Sequence, residues 1–490
     1  MKKVTVICPE AVGTVAPEIY GHFSEHIGGV FYDGIWVGRD SEIPNINGFR
    51  LDLVEKLRAI HPPVLRWPGG CFAETYSWRD GIGKNRPIRL NWWTRFDGRY
   101  ESNAVGTHEF VELCELIGAK PYFAVNVTSC TPLDALEWMD YCLSPRGSTT
   151  LAMEREANGH PEPFDIPFWG IGNENWEGGG NMDPDYYALQ YRKYATILRN
   201  TGHPVELFVG GANASDYNWT RHLCNTLQRY KHLCNGMSFH YYTSPNGLGH
   251  DTAEVTNCNA NGWNAMVERA SKIEDLIIRH HGATVSYSME ERMKLVIDEW
   301  GCWHPGGSGP SHGYNLFEQQ STMRDAVISA LTLNIFNKHC DKIRMANVAQ
   351  LCNNLHCLFL AGGEHCITTP TYHVFDMYQE HQGATLVDTA VSDNADMKNG
   401  ISASASIKDG KLLITLANLS YDTAADISLD FLGGHVTGDA SVRLLAGENA
   451  NSHNTFETPE AVTPTEFSID PTKTITLPAA SVMAIRVAVE

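Results

Sequence analysis

Two glutamates, Glu174 and Glu299, each end an apolar, strand-like run and stand close to tryptophan in the sequence. The first lies within Trp169–Trp176 and the second within Leu295–Trp300, and the two glutamates are 125 residues apart. An apolar strand ordinarily stops at a turn residue rather than at a charge beside large aromatic rings. Two such endings indicate a pair of carboxylates delivered to one place by two strands of one sheet. Paired carboxylates flanked by aromatic rings are what the cleavage of a glycosidic bond requires.

The elements that must position these carboxylates follow an alternating pattern. From about residue 17 to residue 380, short apolar runs alternate with longer helix-like segments such as Asn103–Ile117 and Tyr186–Leu198, which is typical of a parallel sheet. Eight candidate strands lie near Ile19–Ser24, Val64–Trp67, Tyr122–Val127, Phe168–Gly172, Leu207–Gly210, Met237–His240, Leu295–Asp298 and Ile343–Ala346. Eight such units predict an α/β fold, a (β/α)8 TIM barrel. A doubly wound open sheet is the main alternative, but the sequence lacks the Gly-rich loop that usually follows its first strand.

The pattern changes after about residue 383. Short or alternating apolar runs follow one another there, at Ala403–Lys408, Lys411–Leu416, Ile427–Phe431, Val442–Leu445, Phe467–Ile469, Thr474–Leu477 and Val482–Val489. The first two are joined by Asp409-Gly410, a strong hairpin signal. These runs predict an accessory, jelly-roll-like β-sandwich.

The predicted domain limits follow from these patterns. Residues 17–382 are predicted to form the catalytic barrel, and residues 383–490 are predicted to form the C-terminal β-sandwich. A strand within residues 1–16 is predicted to join this sandwich. Within the sandwich, Gly447–Thr465 is rich in Asn, Thr, Pro and Glu and is expected to be a long exposed loop.

Composition narrows the choice of function. Of the 490 residues, 43% are hydrophobic and 19% charged, and 57 acidic against 37 basic residues give a formal charge of −20. Such a surface repels nucleic acid and anionic membranes, so neither is expected as a partner, and a neutral substrate is compatible with it. No apolar stretch is long enough to span a membrane, and Met1–Cys8 lacks the apolar run of a signal peptide. The 13 cysteines form no C-x-x-C pair, which argues against a zinc ribbon or a thioredoxin-type redox motif. An odd number of scattered thiols without a signal peptide favours a cytoplasmic protein.

Polar and aromatic groups stand at the carboxyl end of nearly every predicted strand, where barrels carry their active sites. In chain order they are His22, Glu25 and His26; Arg66 to Cys71; Asn126; Asn173 and Glu174; His240, Tyr241 and Tyr242; Glu299, Trp300 and Trp303; and Asn347 and Gln350. This convergence is more informative than any one residue.

These positions suggest a division of roles. Glu174 is the predicted general acid and later base, and Glu299 the predicted nucleophile that forms a covalent glycosyl ester. Strands four and seven face each other across an eight-stranded barrel, so their carboxylates can converge at about 5 Å, the separation of retaining enzymes. Asn173 is placed to bond a ring hydroxyl. Tyr242 and Arg66 are placed to keep Glu299 ionised.

Structural roles compete with these functional ones. Arg66 is equally well explained as an ion pair between barrel carboxylates, and His240 is predicted to be a scaffold histidine rather than a ligand. Cys71 and Cys302 are expected to be small packed thiols rather than nucleophiles, because the sequence places no base beside them. Local sequence leaves Glu25 open between a rim charge and a site residue. Four tryptophans are compatible with positions in the core: Trp92, Trp93, Trp176 and Trp303. At least one of Trp176 and Trp303 is instead predicted to form a wall on which a sugar ring stacks.

Four spaced segments make the chain recognisable. They are residues 20–25 (YGHFSE), 65–72 (LRWPGGCF), 170–174 (GIGNE) and 347–351 (NVAQL). The Gly-Asn-Glu ending and the second glutamate resemble the large clan of retaining (β/α)8 glycosidases. Within that clan, the four segments together resemble glycoside hydrolase family 51, whose typical members are α-L-arabinofuranosidases. The similarity runs from about residue 10 to the C-terminus.

The resemblance implies a retaining exo-hydrolase that removes terminal L-arabinofuranose from arabinan, arabinoxylan or their oligosaccharides. By position, Glu174 matches the acid/base and Glu299 the nucleophile. Residues that match the arabinose subsite or its wall are Glu25, Arg66, Asn173, Tyr242, Trp303 and Gln350. Cys71 stands where some relatives have Asn, and a thiol is a poorer hydrogen-bonding group, so fine specificity can differ there. The resemblance also implies a hexamer and an intracellular location, and we expect no cofactor and no metal.

Three other functions stay open from sequence alone. A β-1,4-endoglucanase or xylan-active enzyme would keep the carboxylate pair and change the substrate. A carbohydrate-binding protein would have lost catalysis, against which the two intact glutamates argue. A metal-dependent barrel hydrolase is disfavoured because His22-Phe23-Ser24 lacks the H-x-H spacing of a metal site. The loops 32–47 and 246–261 are expected to shape the leaving-group side.

Overall fold

The computed structural model describes residues 1–244 and 255–490, so most of the predicted loop 246–261 lies outside the described residues. The chain divides into two compact units. Unit I consists of Gly21–Tyr241 and Ile278–Glu299. Unit II consists of Met1–Tyr20, Tyr242–Ile277 and Trp300–Glu490.

Twenty-one strands are formed by the described residues. They are β1 (Lys2–Thr14), β2 (Gly21–Phe23), β3 (Asn45–Ile46), β4 (Phe49–Arg50), β5 (Val64–Trp67), β6 (Lys120–Val125), β7 (Phe168–Ile171), β8 (Glu206–Asn213), β9 (Gly236–Thr243), β10 (Leu295–Cys302), β11 (Ile343–Ala349), β12 (Phe359–Gly362), β13 (His365–Thr368), β14 (Thr385–Val391), β15 (Ile401–Lys408), β16 (Lys411–Asn418), β17 (Ala425–Leu432), β18 (Val436–Leu445), β19 (Thr465–Ile469), β20 (Ile475–Leu477) and β21 (Ser481–Val489).

Ten α-helices accompany these strands in the described part of the chain. They are α1 (Leu51–Ile60), α2 (Thr94–Asp97), α3 (Thr107–Ile117), α4 (Pro132–Leu143), α5 (Thr150–Ala157), α6 (Pro184–Arg199), α7 (Tyr217–Leu227), α8 (Ala260–Ser286), α9 (Met323–Lys338) and α10 (Pro370–Tyr378). Short 3-10 helices span Pro17–Tyr20, Cys71–Thr75, Trp78–Gly81, Gln228–Leu233, Gln379–His381 and Met397–Asn399. No helix among the described residues is both long and apolar enough to cross a membrane.

Eight strands close into a parallel barrel in the order β10-β11-β2-β5-β6-β7-β8-β9. Neighbouring barrel strands therefore follow each other in the chain, as expected for successive right-handed βα units. The strands are buried because they are covered on both faces; every residue of β5, β7 and β10 is buried. All eight predicted strands and the TIM-barrel prediction are confirmed.

The third barrel strand ends earlier than the sequence suggests. We predicted a strand over Tyr122–Val127, whereas β6 stops at Val125. The Asn126 side chain accepts hydrogen bonds from the backbone N–H groups of Thr128 and Ser129 at 3.1 and 2.9 Å. This local turn competes with the strand, and the Asn126 Nδ2 also donates to the Tyr76 carbonyl at 3.0 Å.

The starts of two helices are marked by the same sequence signal. Thr131 caps α4 and receives the N–H of Asp134, while the Asp134 carboxylate receives the Thr131 N–H at 2.7 Å. Thr322 and Asp325 form the same reciprocal pair at the start of α9. Each pair satisfies backbone donors that a helix start otherwise leaves without partners.

Unit II is built around a nine-stranded sheet in the order β19-β18-β21-β16-β15-β14-β1-β17-β20. The N-terminal strand β1 lies inside this sheet, antiparallel to β14 and parallel to β17. Apolar residues of eight of the nine strands, from Val4 to Val487, share one core. The predicted all-β domain is confirmed as this sheet, although the sequence analysis did not identify β14. The predicted domain limits stay a prediction.

The predicted hairpin between β15 and β16 is confirmed. Lys408 pairs with Lys411, and the two connecting residues have positive φ, +51° at Asp409 and +71° at Gly410. Two left-handed residues are what the tightest hairpin turn requires.

The segment Gly447–Thr465 is less exposed than predicted. Ala450, Asn454 and Val462 in it are buried. The Asn454 amide donates to the carbonyls of Thr368 and Val462 and accepts the Val462 N–H at 2.7 Å. The prediction of an exposed loop is therefore wrong for these residues, because one buried amide supplies the hydrogen bonds that a strand would have supplied.

Two glycine-to-alanine changes should act in opposite directions. Gly410→Ala places a Cβ on a left-handed residue and should destabilise the protein by about 1 kcal/mol. Gly282→Ala lies inside α8, where an added Cβ meets no atom of the described residues within 4 Å, and should stabilise the protein by roughly 1 kcal/mol. Thermal unfolding of both variants and the wild type measures the difference. Shifts of equal sign would contradict the assigned turn.

Candidate active site

The predicted catalytic groups are brought together at the carboxyl ends of barrel strands in unit I. Glu25 follows β2, Arg66 lies in β5, and Glu174 follows β7. His240 lies in β9 and Glu299 in β10. This is the end of the barrel at which parallel strands deliver side chains to a common centre.

Glu174 and Glu299 form a close pair. Oxygen atoms of the two carboxylates and a ring nitrogen of His240 all lie within 4.8 Å of one another. Both carboxylates are largely withdrawn from solvent, with 19% of the Glu174 and 7% of the Glu299 side chain exposed. Such a separation is shorter than that of inverting glycosidases and matches the spacing of a nucleophile and an acid/base in retaining glycosidases.

Arg66 links the predicted nucleophile to Asn173, the residue that precedes the predicted acid/base. Its Nη1 donates to Glu299 Oε1 at 2.9 Å and its Nη2 donates to Asn173 Oδ1 at 2.6 Å. Burial lowers the pKa of Arg66, but the charges of Asp298 and Glu299 outweigh burial and hold it above its ordinary value. The guanidinium therefore stays charged and favours the ionised form of Glu299.

The bond from Arg66 also orients the Asn173 amide. Because Oδ1 accepts from the guanidinium, the amide nitrogen must point the other way. Asn173 is buried, and its Nδ2 has no hydrogen-bond partner among the described residues. A buried donor without a protein partner is available to a ligand hydroxyl.

His240 lies between the two carboxylates, in direct contact with them. Its Nδ1 is 2.9 Å from Glu174 Oε1 and 3.6 Å from Glu299 Oε2. Burial lowers the pKa of His240, but the charge of Glu299 and the hydrogen bond with Glu174 outweigh burial and raise it. A proton on Nδ1 is thus shared toward both glutamates, which goes beyond the scaffold role predicted for this residue.

Glu25 is a third carboxylate at the site. Its Oε1 accepts the backbone N–H of Phe72 and the indole N–H of Trp93, both at 3.0 Å. Burial and the charge of Glu299 raise the pKa of Glu25 from its ordinary value of 4.5 to about 7. Local sequence left the role of Glu25 open, and the structure places it beside the predicted nucleophile.

The backbone approaches these carboxylates closely at Gly69 and Gly70. A Cβ on Gly69 would lie 2.6 Å from Glu25 Cγ, and one on Gly70 would lie 3.1 Å from Glu299 Oε1. A side chain at Gly69 would overlap Glu25 and one at Gly70 would crowd Glu299, so packing against these carboxylates favours glycine at both positions.

Glu174 stands on a turn with two left-handed residues. Gly172 has φ +88° and Glu174 itself has φ +44°. A non-glycine residue in this region is strained and persists only when its surroundings hold it. The strained residue is the one that the sequence predicts to be the acid/base.

The residue that holds this turn is Glu74, which the sequence analysis did not identify. Its buried carboxylate accepts the Asn173 N–H at 2.7 Å and the Asn175 side-chain amide at 3.1 Å on Oε1. Its Oε2 accepts the N–H groups of Val127 and Thr128, both at 2.8 Å. One carboxylate therefore joins the turns that follow β6 and β7. No local sequence signal distinguishes Glu74, because all four donors come from distant parts of the chain.

Two further residues of unit I were not predicted to contact the catalytic groups. Asp298 precedes Glu299, accepts the Tyr122 hydroxyl at 3.0 Å and has its pKa raised by burial. Trp93, which the sequence allowed as a core aromatic, donates to Glu25 instead. The adjacency of Asp298 and Glu299 was a signal that could have been used.

Cys71 is half-buried, with its Sγ 3.7 Å from Glu174 Oε2. It therefore lies beside the predicted acid/base. Its predicted contact with the sugar stays a prediction.

The other predicted site residues belong to unit II. The rings of Tyr242 and Trp303 meet edge to face with centroids 5.0 Å apart, and the Trp303 N–H donates to the Thr243 carbonyl at 3.0 Å. Gln350 is buried, and its N–H donates to the Asn354 carbonyl at 3.2 Å. The predicted sugar contacts of Tyr242, Trp303 and Gln350 stay predictions.

Two clusters of described residues have donor atoms close enough for a metal ion. One consists of Glu174, His240 and Glu299, and the other, in unit II, of Cys302, His304 and Asp325. In the second, the Arg324 guanidinium lies 2.8 Å from His304 Nε2, and its positive charge opposes a cation. The expectation of a metal-free site stays a prediction.

A closed (β/α)8 barrel whose strand ends carry two carboxylates within 4.8 Å defines the class of retaining barrel glycosidases. Family models agree with this class. The α-L-arabinofuranosidase 1 domain matches residues 56–260, and the α-L-arabinofuranosidase C-terminal domain matches residues 298–481.

Individual relatives agree as well. An intracellular exo-α-L-arabinofuranosidase of Bacteroides ovatus is 37% identical over 95% of this chain and 90% of its own. The GH51 arabinofuranosidase structure from Xanthomonas axonopodis pv. citri superposes with a TM-score of 0.92 at 35% identity, over 99% of each chain. The arabinose complex of a Thermotoga maritima α-L-arabinofuranosidase gives a TM-score of 0.83 at 29% identity, over 100% of each chain. The chain belongs to the α-L-arabinofuranosidases of glycoside hydrolase family 51.

The raised pKa of Glu25 predicts a specific pH dependence of stability. Between pH 4.5 and about 7 the unfolded chain has released the Glu25 proton while the folded protein keeps it. Stability therefore falls as the pH rises through this interval, by about 1.4 kcal/mol for each unit of pKa shift. Glu25→Gln has no carboxyl proton at this position, so its stability should fall less than that of the wild type over the same pH interval.

The measurement is the melting temperature of the wild type and Glu25→Gln at a series of pH values across this interval. Glu115→Gln removes an exposed carboxyl on α3 and controls for net charge. Equal pH slopes in the wild type and Glu25→Gln would show that Glu25 is ionised in the folded protein.

Proposed function

We propose that this protein is a retaining exo-α-L-arabinofuranosidase that releases terminal non-reducing α-L-arabinofuranosyl residues from oligosaccharides of arabinan and arabinoxylan. The observation that carries the proposal is the close pair of Glu174 and Glu299, within 4.8 Å at the carboxyl ends of two barrel strands. The choice of sugar is supported by the exo-α-L-arabinofuranosidase of Bacteroides ovatus and the arabinose complex of the Thermotoga maritima enzyme.

In the first step, Glu299 is the nucleophile. Its carboxylate attacks the anomeric carbon while Glu174 gives its proton to the leaving glycosidic oxygen, so that the glycosidic bond breaks and a glycosyl ester with Glu299 forms. Arg66, at 2.9 Å from Glu299 Oε1, supports this role because it keeps the attacking carboxylate ionised.

In the second step, Glu174 acts as the base. It takes a proton from water, the water oxygen bonds to the anomeric carbon, and the ester bond to Glu299 breaks. The two displacements give arabinose with the configuration of the substrate. His240 lies between both carboxylates. Its position supports the change of Glu174 from acid to base, because the proton on His240 offsets the negative charge of whichever glutamate is ionised.

The sugar is bound by groups around this pair. Asn173 offers its free amide N–H to a ring hydroxyl, and Glu25, with a pKa of about 7, can accept or donate a hydrogen bond near neutral pH. The proposed sugar-binding residues are Glu25, Arg66, Cys71, Asn173, Tyr242, Trp303 and Gln350.

We further propose an intracellular, hexameric enzyme that acts on imported oligosaccharides, with its domains divided at residues 16 and 382. The intracellular relative in Bacteroides ovatus and thirteen free thiols support the location. The hexamer rests on the family resemblance. Light scattering after size-exclusion chromatography should give six times the 54.4-kDa chain mass, and a monomer mass would refute it.

The activity and its nucleophile can be tested together. The wild type should release p-nitrophenol from the α-L-arabinofuranoside much faster than from the β-D-xyloside or β-D-glucoside. Glu299→Ala should lower kcat on the order of 10⁴-fold, because no covalent intermediate can form. A preference for the glucoside or xyloside would instead favour the endoglucanase or xylan-active alternative.

The acid/base is tested by the quality of the leaving group. Glu174→Ala should lower kcat/KM for arabinoxylan oligosaccharides by about 10²- to 10⁴-fold and affect p-nitrophenyl cleavage far less, since nitrophenolate leaves without a proton. Azide should restore turnover, because it attacks the glycosyl ester without a base. Glu177→Ala, an exposed glutamate in the same turn, is the control. Equal losses on both substrates would assign another residue as the acid.

A further inference from the structure

The proposed acid/base, Glu174, has a protein group at each of its carboxyl oxygens. His240 Nδ1 lies 2.9 Å from Oε1. Cys71 Sγ lies 3.7 Å from Oε2, within the reach of an S–H donor. Cys71 begins the 3-10 helix Cys71–Thr75, whose Glu74 holds the turn on which Glu174 stands. One short helix therefore contacts both the residues that flank the acid/base in its turn and the carboxyl of the acid/base itself.

The sulfur of Cys71 carries a proton in this environment. Burial raises the pKa of the Cys71 thiol well above its ordinary value, and the negative charges of Glu174, Glu25 and Glu299 add to that effect. The nucleophilic form of cysteine is the thiolate, so Cys71 is not a reactive group. What it offers Glu174 is a weak hydrogen-bond donor.

The turn after Glu174 packs tightly around the sulfur. A Cβ on Gly178 would lie 2.8 Å from Cys71 Sγ and 3.2 Å from the Trp92 ring. The turn is closed by N–H bonds from Glu177 and Gly179 to the Glu174 carbonyl at 2.9 and 3.0 Å. The side chain at position 71 is therefore held against the Glu174 turn, and a larger amide there would have to displace it.

We propose that Cys71 is a positioning residue for Glu174, whose thiol holds Oε2 so that the carboxyl is aimed at the leaving oxygen. A thiol is a weak hydrogen-bond donor, so its contact orients this oxygen without the strong preference for an anion that a charged donor would impose. The inference rests on the proposed role of Glu174 as acid/base. It gives the Cys71 side chain a role toward the catalytic carboxyl in addition to its proposed contact with the sugar.

The test compares side chains of graded donor strength at position 71. Cys71→Ala has no donor, and Cys71→Ser has a stronger donor than the thiol. The alkaline limb of the kcat/KM profile on an arabinoxylan oligosaccharide should move up by about 0.5 pH unit in Cys71→Ala and down by a similar amount in Cys71→Ser, a threefold change in proton affinity. Both should lower kcat/KM about three- to tenfold on this substrate, with little change in p-nitrophenyl cleavage.

Cys130→Ala is the matched control. Cys130 is also a half-buried thiol of unit I, but its Sγ donates to the Tyr76 carbonyl rather than to a carboxylate. Its profile should coincide with that of the wild type. If the alkaline limb of the kcat/KM profile does not move in either Cys71 variant, or moves in the same direction in both, the inference is overturned. Cys71 would then have a packing role alone.

A second measurement needs no substitution of Cys71. Alkylation of Cys71 by iodoacetamide, followed by peptide mass spectrometry, should be faster in Glu174→Gln than in the wild type, since one negative charge beside the thiol is gone. Equal rates would count against the contact.

Glu174→Ala, assayed alongside, separates this inference from the proposed function. If Glu174→Ala fails to show the expected dependence on the leaving group, the proposed function fails with it. If Glu174→Ala behaves as expected while the Cys71 variants do not, the inference alone fails.

Discussion

The arrangement of the candidate active site depends on one buried cation, Arg66. Its guanidinium bonds Glu299 at 2.9 Å and Asn173 at 2.6 Å, so it connects the strand of the proposed nucleophile to the turn of the proposed acid. One face of the guanidinium lies over the Phe23 ring, with Cζ 4.5 Å from the ring centroid, a favourable cation–π contact. Without this cation, neighbouring carboxylates would be buried with little to offset their repulsion. The buried acidic residues around it are compatible with one another only because Arg66 and His240 lie among them.

Much of this site could be predicted because a parallel barrel converts chain order into spatial convergence. Apolar runs fixed the positions of the strands, and a charged or amide residue directly after a run then had to lie at the common rim. This reasoning placed Glu174, Glu299 and Arg66 at this rim without any contact information. It also recovered the Asp409-Gly410 hairpin, since two residues with positive φ leave a strong compositional signal.

The contacts that were not predicted share a physical cause. Glu74 is defined by four donors from turns about 50 and 100 residues away, and Cys71 by a carboxyl 103 residues distant. Neither is marked by periodicity or by a neighbour in sequence, because side-chain bonding between loops leaves no local pattern. Similarly, the Asn454 side-chain amide supplies hydrogen bonds that a strand would otherwise have supplied. An argument from residue propensities alone assigns the segment around it to an exposed loop. Loop interiors were therefore the least predictable part of the molecule.

The position of β1 constrains how this protein can be made. Lys2–Thr14 is synthesised long before its partners in the sheet, which are Thr385–Val391 and Ala425–Leu432. On the ribosome this strand must wait, with both edges unpaired, until nearly the whole chain has emerged. An unpaired apolar strand is a site for aggregation or chaperone binding during that interval. Joining the two ends of the chain and opening it elsewhere would remove the delay, so a circular permutant should suit rapid production of this enzyme.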